Sequence, residues 1–159
     1  MGTLPQLLEE DIAVLDRVLG RFLKDTDATA ALVLDKGGFL ITHRGDTSEF
    51  DVTTISALAS GAYLANQTIA NLVSETNFDS VYQQGENFSM FTSNVDEHCL
   101  LLVIFRAQIG VGIVKYHASQ IREQIAQQLV IAYLRDPGNS LDLSVLNMAD
   151  TSGLFRRKV

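Results

Sequence analysis

The segment that most constrains this chain is 52–75, where apolar residues recur with a helical period and no charged residue occurs before Glu75. At about 100° per residue, one stripe of this helix consists of Ile55, Ala59, Ala62, Asn66, Ile69 and Val73. The opposite stripe consists of Ala57, Ser60, Leu64, Gln67, Thr68 and Asn71. Because a solvated helix face usually carries charges, a small and uncharged face favours close approach of another surface. We interpret the segment as a docking helix; the alternative is a helix buried on both sides within one domain.

Hydrophobic periodicity predicts two further helices and five strands. Apolar residues at spacings of three and four predict helices over 7–23 and 113–134. Short apolar runs between turn residues predict strands over 30–34, 39–43, 78–84, 88–92 and 98–105. Hairpin-length connections make neighbouring strands antiparallel. The order α-β-β-α-β-β-β-α therefore predicts an α/β (α+β) fold, with a five-stranded, mainly antiparallel sheet in an α/β/α sandwich.

The domain limits follow from length and from one strong helix stop. A chain of 159 residues suits one domain. The stretch Asp136-Pro137-Gly138-Asn139 ends the last helix, so we expect a single domain over 1–138 and a tail over 139–159. The tail has its own apolar residues. A short helix or a segment that becomes ordered on a partner is favoured over a docked strand.

Charge and composition exclude several classes of function. Twelve basic and 19 acidic residues give a formal charge of −7, which argues against binding to nucleic acid or to anionic membrane surfaces. No apolar run reaches the roughly 18 residues that a membrane-spanning helix needs, and the start does not resemble a signal peptide. The expected location is therefore the cytoplasm.

The sequence offers little that is typical of catalysis. Cys99 is the single cysteine, and His43, His98 and His117 fall in separate predicted elements without ligand spacing. We therefore predict no metal site, no cofactor and no catalytic residue. The Gly110-Val111-Gly112 turn before a helix is similar to a phosphate-binding turn, but the third glycine and the P-loop lysine are missing. An enzyme or ligand sensor built on 110–117 and Cys99 is the alternative hypothesis from a different class.

A resemblance adds to this interpretation. It is carried by the strand that ends in Asp35-Lys36-Gly37-Gly38, by Ala59-Ser60-Gly61-Ala62, and by Gly110-Val111-Gly112 before Val114-Lys115. Together with the element order, these residues resemble the roadblock family of dynein light chains and GTPase regulators. Asp51-Val52-Thr53-Thr54 before Ala57-Leu58, and Gln84-Gly85-Glu86 before the next strand, are similar to its bacterial MglB branch. The resemblance extends over about 9–134.

The resemblance implies a roadblock/profilin-like sandwich that forms a homodimer. In that family the middle strands of two copies pair edge to edge and the second helices pack together. In this chain the corresponding elements are 78–84 and 52–75. The implied dimer interface residues are Phe78, Val81, Tyr82 and Gln84. An unpaired sheet edge also favours such pairing on physical grounds.

The resemblance also implies a partner. MglB-type dimers present their paired helices to one small Ras-like GTPase and stimulate GTP hydrolysis without inserting an arginine. The implied partner-binding residues are Ala57, Ser60, Leu64, Gln67, Thr68 and Asn71. The alternative within the family is a dimer that tethers another protein without changing hydrolysis.

Overall fold

An antiparallel five-stranded sheet lies between helices on both of its faces in the computed structural model, which describes residues 4–135. The elements in chain order are α1 (Glu9–Thr26), β1 (Ala30–Asp35), β2 (Leu40–Gly45), α2 (Val52–Leu72), β3 (Ser80–Gln83), β4 (Phe88–Asn94), β5 (Cys99–Arg106) and α3 (Val111–Arg135). The predicted fold class and element order are confirmed.

The spatial order of the strands is β2-β1-β5-β4-β3, and every neighbouring pair is antiparallel. β5 is the central strand, and its residues from Cys99 to Phe105 are all buried. Such a continuous apolar run is expected where both faces of a strand are covered. β2 and β3 are the two edges of the sheet.

Alternating residues of the sheet form two separate cores. On one face, α1 and α3 cover a core that includes Leu101, Val103 and Phe105. On the other face, α2 alone covers a smaller core that includes Leu100 and Leu102. The single helix on this second face is the uncharged segment predicted as a docking helix.

Two predicted elements, the helix over 52–75 and the strand over 78–84, extend further in the prediction than in the structure. The helix ends at Leu72 rather than at residue 75, because Ser74 adopts a left-handed conformation that closes it. The third strand comprises Ser80–Gln83, so Phe78 precedes it and Gln84 follows it. The predicted helix stop at 136–139 and the tail over 139–159 lie outside the described residues.

Candidate functional site

Helix α2 begins at a side-chain cap. Asp51 Oδ1 accepts a hydrogen bond from the Thr54 N–H at 3.1 Å, and Asp51 Oδ2 accepts one from Thr54 Oγ1 at 2.7 Å. These bonds favour the ionised carboxylate and lower the pKa of Asp51. An Asp at this position satisfies free N–H groups of the first turn. The cap fixes the start of a helix whose own 21 residues carry no charge.

The C-terminal end of α2 is closed by a Schellman motif. The Glu75 N–H donates to the Ala70 carbonyl at 2.8 Å, and the Ser74 N–H donates to the Asn71 carbonyl at 3.2 Å. Ser74 has a φ of 65°, the left-handed conformation that this motif requires. The motif directs the chain from the helix towards the edge strand β3.

The buried face of α2 is centred on Ser56, Tyr63 and Ala70, which are seven residues apart. Small residues allow the helix to approach the sheet closely: a Cβ on Gly38, in the turn between β1 and β2, would lie 3.3 Å from Ser60 Oγ. Ser60 is itself buried, and its hydroxyl donates to the Ala57 carbonyl at 3.1 Å. Ser60, which the resemblance implies as a partner-binding residue, is therefore not accessible in this chain, because its side of the helix packs against this turn.

Tyr63 and Gln67 hold the chain that enters β3. The Tyr63 hydroxyl and Gln67 Nε2 donate to the Phe78 carbonyl at 3.4 and 3.3 Å. Lys36 Nζ lies 5.5 Å from the centre of the Tyr63 ring. Burial raises the pKa of Tyr63 and lowers that of Lys36. Gln67, predicted as a partner-binding residue, is half-buried and already bonded within the chain, so only part of it faces solvent.

One exposed flank of α2 faces the β3 side of the sheet and is apolar. Leu58 is 69% exposed and Leu72 is 79% exposed, and Ile69 and Val73 are exposed as well. A groove of 280 Å³ lies between the first half of this flank and the sheet, and Leu58, Ala62 and Val81 are among the residues that line it. We call the set Leu58, Ala62, Ile69, Leu72 and Val73 the groove flank. Three of them, Ala62, Ile69 and Val73, belong to the first stripe predicted from the sequence, and all three are exposed to solvent.

The other exposed flank faces away from the groove. Leu64 is 50% exposed, and Ala57, Thr68 and Asn71 are exposed. We call these four residues the platform flank. Four of the six predicted partner-binding residues are therefore accessible, while Ser60 is buried and Gln67 is half-buried.

β3 presents an open edge next to the groove flank. It pairs with β4 on one side, and no strand among residues 4–135 pairs with its other side. Val81 lines the groove on the α2 face of the sheet, while the Tyr82 ring stacks on Phe105 on the opposite face, with centroids 6.2 Å apart. Phe78 is half-buried, and Gln84 is exposed just beyond the strand. The four predicted dimer residues thus lie along or next to one edge, although only Val81 and Tyr82 belong to the strand.

The features considered for catalysis lie at opposite ends of β5, since Cys99 is its first residue and Gly110 follows its last residue, Arg106. Cys99 is fully buried, and burial together with neighbouring Asp96 raises the pKa of its thiol. Among residues 4–135 no group of His, Cys, Asp and Glu is arranged to hold a metal ion. Gly110 and Gly112 are exposed at the start of α3. No helix in the described part of the chain has the length and apolar character needed to cross a membrane.

Sequence reasoning missed the division of α2 into three faces. Tyr63 was not identified as the centre of the buried face, and the groove flank was not identified as exposed. The signal available in the sequence is the seven-residue spacing of Ser56, Tyr63 and Ala70, which defines a narrow stripe. Outside this stripe Leu58, Leu64 and Leu72 are apolar as well. Periodicity alone therefore does not distinguish these exposed residues from the buried ones.

Comparison with known proteins identifies relatives of this fold. Residues 14–105 match the model of the Roadblock/LC7 domain. No curated protein sequence matches the chain. An MglB structure with a tetrameric arrangement superposes with a TM-score of 0.76 at 26% identity, covering 83% of this chain and 98% of that one. The gliding protein MglB of Thermus thermophilus gives 0.73 at 26% identity, covering 81% and 97%. Myxococcus xanthus MglB gives 0.68 at 26% identity, covering 71% and 92%.

Proposed function

The chain belongs to the Roadblock/LC7 family, and from this premise we propose that it is a homodimeric regulator that binds a small Ras-like GTPase and stimulates its GTP hydrolysis. The observation that carries the proposal is α2 itself: an uncharged helix with two exposed flanks, lying beside an open sheet edge. The likeness to MglB structures supports the choice of partner. The proposal covers a single regulatory domain over 1–138, with the tail over 139–159 as a separate segment.

The dimer forms through β3 and the groove flank. Pairing of two β3 edges satisfies backbone groups that are otherwise open to other chains. It also brings the groove flanks of two helices towards one another across a two-fold axis. Full burial of a Leu or Val side chain contributes about 1.5–3 kcal/mol, so covering Leu58, Leu72 and Val73 is a substantial driving force.

The platform flank then remains available for the GTPase. Leu64 supplies an apolar contact, and Thr68 and Asn71 supply hydrogen-bonding groups at the same surface. α2 contains no arginine. Stimulation therefore acts by repositioning the GTPase's own catalytic residues rather than by supplying a positive charge in trans.

Phosphate release by a Ras-like GTPase, measured with and without this chain, tests the proposal. We expect faster release with wild-type protein and with each single Arg→Ala variant, because no arginine enters the GTPase site. If one such variant binds normally but loses all stimulation, the mechanism without an arginine is wrong. If the chain binds without any change in release, regulation of hydrolysis is wrong.

Two matched leucine variants separate the proposed surfaces. Leu64→Arg is expected to weaken GTPase binding at least tenfold while the dimer mass is unchanged, because a long cation enters an uncharged contact. Leu58→Arg is expected to yield monomers, because the same cation then lies in the dimer interface. Light scattering reports the mass, and titration with the GTPase reports binding. Identical behaviour of the two variants would contradict the assignment of the two flanks.

The second candidate is a tethering dimer that binds its partner without changing hydrolysis. The absence of charge from the 21 residues of α2 favours it, since such a surface supplies shape and apolar contact but no group that stabilises transition-state charge directly. Binding that is equally tight in the GDP and GTP states, with unchanged phosphate release, would identify this function.

A further inference from the structure

The last turns of α3 expose an apolar surface that belongs neither to the proposed dimer interface nor to the platform flank. Leu134 is 76% exposed, and Val130 and Ile131 are each about half exposed. Their spacing places them on one face, opposite the buried Leu129 and Ala132. We call Val130, Ile131 and Leu134 the α3 patch. It lies on the opposite side of the sheet from α2, so the proposed dimer leaves it uncovered.

An ion pair between a buried carboxylate and a partly exposed arginine holds the α3 patch in place. Asp11 is fully buried, and both of its oxygens accept hydrogen bonds from the Arg135 guanidinium at 2.8 Å. Gln128 Nε2 donates to Asp11 Oδ1 at 2.7 Å, and the Leu8 N–H donates to Oδ2 at 2.8 Å. Bidentate pairs of this kind are strong and geometrically specific. The final turn of α3 is therefore fixed against the start of α1, although helix ends usually fray.

The chain itself continues directly from this fixed point. Asp136-Pro137-Gly138-Asn139 combines a proline that cannot continue the helix with residues typical of tight turns. Apolar residues then follow at Leu141, Leu143, Val145 and Leu146. Residues 136–140 span at most about 17 Å when extended. Val130 lies only about 6 Å before Leu134 along the helix axis, so the apolar segment is within reach of the whole patch.

We propose that segment 141–146 of the same chain folds back and covers the α3 patch. Attachment through five residues gives the segment an effective concentration in the millimolar range. A second copy or another protein at micromolar concentration competes poorly with a segment held that close. The patch and the segment are both apolar, and covering one with the other removes both from water.

A pair of introduced cysteines tests the proposal in the full chain. Cys99 is fully buried and therefore does not compete for an oxidant. Leu134→Cys combined with Val145→Cys is expected to form a disulfide within one chain under mild oxidation, since such a bond needs Cα atoms within about 7 Å. The control pair is Gln120→Cys with Val145→Cys, because residue 120 lies on α3 about 21 Å before residue 134. The control is expected to form the disulfide at least tenfold more slowly.

Denaturing electrophoresis without reductant distinguishes the outcomes. A link within one chain that is selective for residue 134 supports the proposal. Disulfides between chains would assign the patch to a second copy. Equal rates for the two cysteine pairs would mean that the segment has no preferred position on α3. Either result overturns the proposal.

Hydrogen exchange gives an independent readout. In the unmodified chain, the amides of 141–146 are expected to exchange at least tenfold more slowly than in Leu134→Glu, which places a charge in the patch. Exchange in β5 reports whether the variant remains folded. Equal exchange of 141–146 in a folded variant would overturn the proposal. Neither test uses the GTPase, so failure here is distinct from failure of the proposed function.

Discussion

At the scale of single residues, Ser74 occupies a position that usually belongs to glycine. Its φ of 65° closes the Schellman motif of α2, and a side chain in this conformation is strained by about 1 kcal/mol. Ser74→Gly should therefore stabilise the chain by about 0.5–1 kcal/mol in urea unfolding. Ser74→Ala is the control, because it removes the hydroxyl but keeps the strained Cβ, and we expect it to be near neutral. Equal effects of the two substitutions would contradict the backbone explanation.

Asp11 makes the free energy of unfolding depend on pH in the acidic range. The Arg135 hydrogen bonds hold the pKa of the Asp11 carboxyl well below its usual range, although burial opposes them. A carboxyl with a lowered folded-state pKa contributes stability above its unfolded pKa of about 4, and loses that contribution as the pH falls towards the folded value. Asp11→Asn should therefore cost about 2–3 kcal/mol at neutral pH, and this difference from wild type should shrink below about pH 4.

Glu10→Gln is the matched control for this prediction. Glu10 is the neighbouring carboxylate, and it is exposed to solvent. Its substitution should change the unfolding free energy by less than about 0.5 kcal/mol at any pH. A constant difference between wild type and Asp11→Asn from pH 7 to pH 2 would show that the ionised pair is not what stabilises this junction.

At the scale of elements, two glycines are expected to respond in opposite ways to the same substitution. Gly61 lies inside α2, and beyond the helix's own backbone and its chain neighbours no atom would come within 4 Å of an added Cβ. Gly61→Ala should stabilise the chain by about 0.5–1 kcal/mol, because glycine is a poor helix former. At the end of β2, a Cβ on Gly45 would lie 2.3 Å from the Thr29 carbonyl oxygen, at a φ of 109°. Gly45→Ala should therefore cost more than about 2 kcal/mol. Thermal unfolding of both variants checks the contrast, and equal shifts would contradict it.

Most helices and strands were predictable from the sequence because each residue pattern that marks them has a single physical cause. The central strand β5 is apolar throughout since both faces are covered, and the turn at Asp35–Gly38 carries residues suited to a hairpin. Helix α2 was harder to orient, because its sequence serves an internal core and, under the proposed function, two external surfaces. When all three faces are uncharged, the hydrophobic period shows that the segment is a helix but not which face points towards the sheet. Ser60 was misplaced for this reason: a serine suits an exposed position, yet here it permits close contact with the turn at Gly38.

The short strand β3 shows a second limit of sequence reasoning. Phe78 and Gln84 flank the strand, and the loose alternation of Phe78, Val81 and Tyr82 does not show where the strand begins or ends. Tertiary contacts decide the boundary, since Tyr63 and Gln67 bind the Phe78 carbonyl and draw it out of the ladder. Of the four predicted dimer residues, only Val81 and Tyr82 are therefore in the strand itself.

At the scale of the whole molecule, charge and apolar surface are segregated. The chain carries a formal charge of −7, while the 21 residues of α2 carry none. Under the proposed function, the net charge keeps dimers apart in solution, whereas the uncharged helix allows two copies to meet without electrostatic repulsion at the contact. The α3 patch lies on the other side of the sheet, so the two apolar surfaces do not compete for one occupant.

The dimer proposal makes a quantitative prediction about heat stability. If folding and dimerisation are coupled, each tenfold increase in protein concentration stabilises the dimer by about 1.4 kcal/mol. Dividing this free energy by the unfolding entropy of two chains of 159 residues gives a rise in Tm of about 2 °C per tenfold increase in concentration. Calorimetry from about 1 to 100 μM is the measurement. Leu64→Arg should keep the dependence, because it changes only the platform flank, whereas Leu58→Arg should lower Tm and remove the dependence. A wild-type Tm that is constant over this hundredfold range would mean that the groove flank does not hold a stabilising dimer.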